Sequence, residues 1–117
     1  MPNLYYTTIS VKQIDILKYM KAKGLLCITD TKMKYLYQLA KQGGGFARDK
    51  QEEEFRVKMN TAIQAVFKKE YKTADSIIDK AFRNLCASRS SKLLDKVREE
   101  MEKAKNQKED IHDNAAE

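Results

Sequence analysis

Three consecutive glycines, Gly43–Gly45, constrain this chain more than any other feature of it. Each glycine inside a helix costs roughly 0.5–1 kcal/mol relative to alanine. No helix is therefore expected to run through the triplet, and the chain divides into a 42-residue segment before it and a longer one after it. Gly24 divides the first segment again, so its helices must be short. The sole proline is Pro2, so nothing else interrupts the periodic pattern.

That pattern is helical throughout. Ser10, with Gln13 three residues on, is a capping box, and a first helix is expected from Val11 to about Lys23, with Ile14, Ile16, Leu17 and Met20 on its apolar side. Gly24 then supplies a left-handed stop. Leu25–Ile28 form an apolar connector, and Thr29 or Asp30 caps a second helix over about Thr31–Gln42. Its inward side is read as Met33, Leu36, Tyr37 and Ala40, and its outward side as Lys34, Tyr35, Gln38, Lys41 and Gln42. A third helix begins near Asp49, with Glu52, Glu53 and Glu54 where the positive end of the helix dipole favours them. It ends or bends around Tyr71–Thr73. Ala74, Ile77, Ile78, Ala81, Phe82 and Leu85 mark a fourth helix. Ala87–Ser91 read as a loop, and Leu94, Val97, Met101 and Ala104 mark a fifth helix over about Lys92–Asn106. Tyr5–Ile9 form a short β-prone arm, and no alternating strands flank an Asn-Gly or Asp-Gly turn.

The expected fold class is all-α, with about five helices. Two short N-terminal helices are joined by the glycine hinge to a C-terminal three-helix antiparallel bundle. Residues 1–106 form a single helical domain, with lobes 1–42 and 46–106, and residues 107–117 form a disordered acidic tail.

Composition excludes much chemistry. A single histidine, His112 in the tail, makes no triad and no zinc cage. Cys27 and Cys86 form no Cys-x-x-Cys motif, and both are read as buried free thiols of a protein from a reducing compartment. The triple glycine precedes Lys50, but no Ser or Thr follows that lysine and no strand precedes the glycines, so a phosphate-binding P-loop is not matched. Asp75 and Asp79 share a helix face, with Lys72, Lys80 and Arg83 close in sequence as surface partners. No cofactor, metal site or catalytic cluster is expected, and the protein is read as a non-enzyme. No apolar run approaches the roughly 18 residues of a membrane span, so a soluble, cytoplasmic protein is expected.

The charge distribution carries the functional signal. Net charge is +6 for the whole chain, yet residues 1–50 alone hold nine Lys and Arg against three Asp and no Glu. The same stretch contains five of the six tyrosines. On a helical wheel the outward faces of the first two helices are basic and amide-bearing, each with one aromatic. Lysine neutralises phosphate, glutamine reads base edges, and tyrosine stacks on an unpaired base. Lys12, Tyr19, Lys23, Lys34, Tyr35, Gln38 and Lys41 are accordingly the candidate nucleic-acid-binding residues. The leading expectation is a small regulator or accessory factor of bacterial, plasmid or phage type that binds DNA or RNA. The alternative is an inhibitor or adaptor docking on a larger protein or nucleoprotein complex through its C-terminal helices. Leu94, Val97 and Met101 are the candidate surface for that partner or for a homodimer.

The two N-terminal helices have the outline of a divergent helix-turn-helix. With Gly24 as the turn glycine, however, Met20 falls where a small residue belongs, and Lys23 and Asp30 fall where apolar ones belong. Thr29-Asp30-Thr31-Lys32-Met33-Lys34 resembles the capped basic helix start of small all-helical subunits of type III CRISPR effectors. Six residues carry that resemblance, and no site residue is transferred on it.

Overall fold

The computed structural model describes residues 7–42 and 49–103, and these are helical with no strand. The elements are α1 (Val11–Ala22), α2 (Asp30–Ala40), α3 (Lys50–Phe67) and α4 (Tyr71–Ser88). A fifth helix, α5, is described over residues 92–103. The Gly43–Gly45 hinge, the Tyr5–Tyr6 part of the arm and the acidic tail lie outside the described residues.

Local sequence sets each helix start. Ser10 accepts from the Gln13 backbone N–H, and the Gln13 side chain accepts from the Ser10 N–H, closing the capping box. Thr29 caps α2 through the Lys32 N–H. Asp49 caps α3 through the Glu52 N–H at 2.9 Å, and Ser91 caps α5 through the Leu94 N–H at 3.2 Å. α4 has no side-chain cap.

Two helices end in the same way. After α1, the Gly24 N–H bonds to Lys21 O at 2.9 Å and the Leu25 N–H to Met20 O at 3.0 Å. After α3, the Lys69 N–H bonds to Val66 O and the Glu70 N–H to Ala65 O, both at 2.9 Å. Both are Schellman motifs, which place one residue in the left-handed region. That residue is Gly24 (φ +79°) in the first and Lys69 (φ +63°) in the second. The third helix therefore stops short of the Tyr71–Thr73 boundary expected from the sequence, at a turn that no glycine marks.

One core spans both segments of the chain. It includes Ile9, Ile14, Leu17, Leu26, Ile28 and Leu36 from the first, and Phe55, Met59, Ile63, Ile78, Phe82, Leu85, Leu94 and Val97 from the second. At its centre Tyr35, Phe55 and Phe82 meet edge to face, with ring centroids 5.0–5.9 Å apart. The connector after α1 alternates: Leu26 and Ile28 point inward while Leu25 and Cys27 point out. Cys27 is thus exposed, contrary to the expectation of a buried thiol, because its two neighbours hold the inward positions. Cys86 is buried, and burial pushes its thiol pKa up.

Polar contacts pin the short helices to the long ones. Glu52 and Arg56, one turn apart on α3, form an ion pair at 3.5 Å with both side chains fully buried. Glu52 also accepts from Arg89 at 3.2 Å and from the Gln42 amide at 3.3 Å, and Arg56 donates to Thr7 O at 3.2 Å. Asp75 accepts from the Cys27 N–H at 3.0 Å, so it holds the connector rather than a surface lysine. Asp79 pairs with Arg83 at 2.7 Å and lies 3.8 Å from the buried Lys32 ammonium. Thr31 donates to Glu100 at 2.6 Å, tying α2 to α5. α5 runs back along α4: Arg98 donates to the Cys86 carbonyl near the C-terminal end of α4, where a cation is favoured.

Two outcomes check this account. Gly24→Ala should cost about 1 kcal/mol, because no atom lies within 4 Å of the added Cβ and only the positive φ is penalised, whereas Lys69→Gly should gain about 0.5–1 kcal/mol. Chemical denaturation of the two variants should therefore move in opposite directions. Glu52→Ala strands buried guanidinium charge and should cost about 3–5 kcal/mol in the same assay.

Candidate nucleic-acid interface

The candidate surface is the solvent side of α1 and α2. α1 presents Lys12, Asp15, Lys18, Tyr19 and Ala22, and Lys23 follows as its C-cap. α2 presents a narrower strip of Asp30, Lys34, Gln38 and Lys41. Tyr37 joins the two. Its hydroxyl donates to Asp15 on α1 at 2.5 Å. The Lys18 ammonium lies 6.0 Å from its ring centroid and that of Lys41 5.9 Å. At the far end, the Lys23 ammonium sits 5.1 Å from the ring centroid of Tyr19, which is 58% exposed. Cations over aromatic faces are held by the ring quadrupole, so the tyrosines organise the lysines around them.

Of the seven residues selected from sequence, six lie on this surface: Lys12, Tyr19, Lys23, Lys34, Gln38 and Lys41 are all exposed. Tyr35 is not. It is 7% exposed and sits in the aromatic centre of the core against Phe55 and Phe82. The buried arc of α2 is rotated about a fifth of a turn from the one its periodicity predicts. α2 packs against α1 on one side and against α3 and α4 on the other, so it buries a wide arc that includes Lys32, Met33, Tyr35, Leu36 and Leu39. The available signal was Leu39, an apolar residue one turn beyond Tyr35. Tyr37, read as inward from sequence, is half-buried against the core, and its hydroxyl reaches out to Asp15.

The candidate partner surface on α5 is also corrected. Leu94 and Val97 are fully buried, and Met101 is half-buried against the same core. Leu94 and Val97 serve to seat α5 on the bundle, so the three do not form a free apolar stripe.

The electrostatics of the face are distinctive. Lys12, Lys18, Lys23, Lys34 and Lys41 make no ion pair among the described residues, and Lys21 pairs with Asp30 at 3.7 Å. By contrast Arg56, Arg83, Arg89 and Arg98 each face a carboxylate elsewhere in the fold. Asp15 and Asp30 are the only acidic residues over 7–42. Three clefts elsewhere have volumes of about 160, 170 and 270 Å³, all below the ~300–1,000 Å³ of small-molecule sites. Among the described residues no group of three His, Cys, Asp or Glu side chains could hold a metal ion, and no helix is long and apolar enough to cross a membrane.

Comparison with protein-family models, with curated proteins and with solved structures gave no match for the chain.

The Tyr37 phenol is pushed up to about 12, first by burial and then by the hydrogen bond and charge of Asp15. A phenol whose ionisation is raised on folding stabilises the native state fully below pH 10 and loses that contribution as pH rises to about 12. Denaturation midpoints should therefore fall more steeply over that interval in the wild type than in Tyr37→Phe.

Proposed function

We propose that this protein binds nucleic acid through the α1–α2 face and does so without catalysis, as a small regulator or accessory factor. The observation that carries the reading is the set of five exposed lysines with no ion pair among the described residues, three of which, Lys18, Lys23 and Lys41, lie over the rings of Tyr37 and Tyr19. A phosphate backbone is the common polyanion with the charge spacing to neutralise several such ammoniums at once. Phosphate contacts fix position, and with lysine as the cation they favour affinity over discrimination. Gln38 is the one exposed amide among them. The core position of Leu94 and Val97 weighs against the adaptor alternative, which rested on them together with Met101.

Binding should weaken steeply with salt. If most of the five lysines engage phosphates, log Kd against log salt should have a slope of magnitude about 2–3.5 for a single strand, at ~0.7 per contact. Lys34→Glu/Lys41→Glu should lower both affinity and slope, with the helical circular dichroism spectrum unchanged because both residues are exposed. Affinity indifferent to salt, or undisturbed by the double substitution, would sink the reading.

A further inference from the structure

Resting on that reading of the α1–α2 face, we propose that the partner is single-stranded nucleic acid, bound with little sequence preference by stacking an unpaired base on Tyr19. Three features of the face point the same way.

The first is what the face lacks for reading a duplex. Residues 7–42 contain no arginine. Its rigid fork is the better match to the paired acceptors of guanine, whereas lysine acts as a flexible point charge. The four described arginines are committed to carboxylates elsewhere.

The second is the geometry of the helix pair. A helix-turn-helix joins its helices by three or four residues and reads bases with the N-terminal residues of the second helix. Here residues 23–29 separate the helices. The N-terminal end of α2 presents Asp30, whose side chain is 99% exposed. A carboxylate there opposes entry of α2 into a phosphate-walled groove.

The third is Tyr19 itself. It is 58% exposed, among the most exposed of the large apolar side chains described. Its ring carries the Lys23 ammonium 5.1 Å from the centroid, and Lys12 lies two turns earlier on the same side of α1. A stacked base would bury the ring while the flanking lysines meet the adjoining phosphates, which is how strand-binding grooves combine aromatic platforms with basic tracks. Every base has a π-face, so such contacts tolerate any sequence. A paired base inside a duplex offers no such face.

The test uses the full chain in fluorescence anisotropy with end-labelled oligo(dT), oligo(rU) and a mixed-sequence duplex, all of equal length. The strands should bind more tightly than the duplex. Tyr19→Ala should weaken strand binding roughly 5- to 150-fold, the range that corresponds to one stacked base, and leave duplex binding unchanged. Tyr19→Phe, which keeps the ring, should bind like the wild type. The two strand probes distinguish DNA from RNA as the source of the unpaired base, and a Tyr19→Ala loss on either supports the proposal. Equal affinity for strand and duplex, or strand affinity untouched by Tyr19→Ala, overturns it while leaving the lysine reading intact. Failure of the wild-type protein to bind all three probes overturns both.

Discussion

The fully buried carboxylate of Glu52 is the contact on which the arrangement of the helices depends. Removing a carboxylate from water costs several kcal/mol unless charge and hydrogen bonds replace the solvent. Here the replacement comes from Arg56 on the same helix, from Arg89 at the α4–α5 junction and from Gln42 just after α2. Arg56 in turn reaches the carbonyl of Thr7. One side chain thus fixes the mutual position of four segments that are far apart in sequence. A buried charge tolerates only arrangements that satisfy it, so alternative packings of these amphipathic helices are penalised. The aromatic trio of Tyr35, Phe55 and Phe82 then fills the space beside it.

This division of labour between the two cations explains the surface. Arg56, Arg89 and Arg98 tie segments of the scaffold together against carboxylates or a helix end, while Arg83 pairs with Asp79 on its own helix. The exposed lysines of α1 and α2 carry no such duty and remain hydrated. The exception is Lys32, drawn under Phe82 and towards Asp79, where it helps attach α2 to α4. The result is a packed base carrying an exposed cationic fringe. That packing matters because the tyrosines that space the lysines are themselves held: Tyr37 by Asp15, and Tyr19 by its place on a helix docked through Ile14 and Leu17.

Much of this was legible in the residues. The helix class, the Ser10 capping box, the Gly24 stop and the exposed side of α1 follow from local rules that need no tertiary information. Six of the seven surface residues followed as well. What failed was whatever depended on a second neighbour. Tyr35 was misplaced because a wheel assumes one buried side, and α2 has two. Leu94 and Val97 read as a surface stripe because an amphipathic helix does not declare whether its apolar side meets its own chain or another. Cys27 alternates outward only once Leu26 and Ile28 are seated. The burial of Glu52 was invisible for the opposite reason. An acidic residue in a first helical turn has a sufficient local explanation, and only the Arg four residues on and the distant Arg89 reveal the other one.

The two matching helix ends have different consequences for how the chain reaches its fold. At Gly24 the left-handed conformation is available to the residue before any partner arrives, so the α1 turn can be preset in the unfolded chain. At Lys69 the same conformation carries a steric penalty from the side chain, which the two hydrogen bonds of the turn and the packing of α3 on α4 must offset. The hairpin of long helices is therefore closed by its packing as well as by its turn. A lysine suffices at residue 69 because the docked helix pair holds a geometry that the residue itself disfavours.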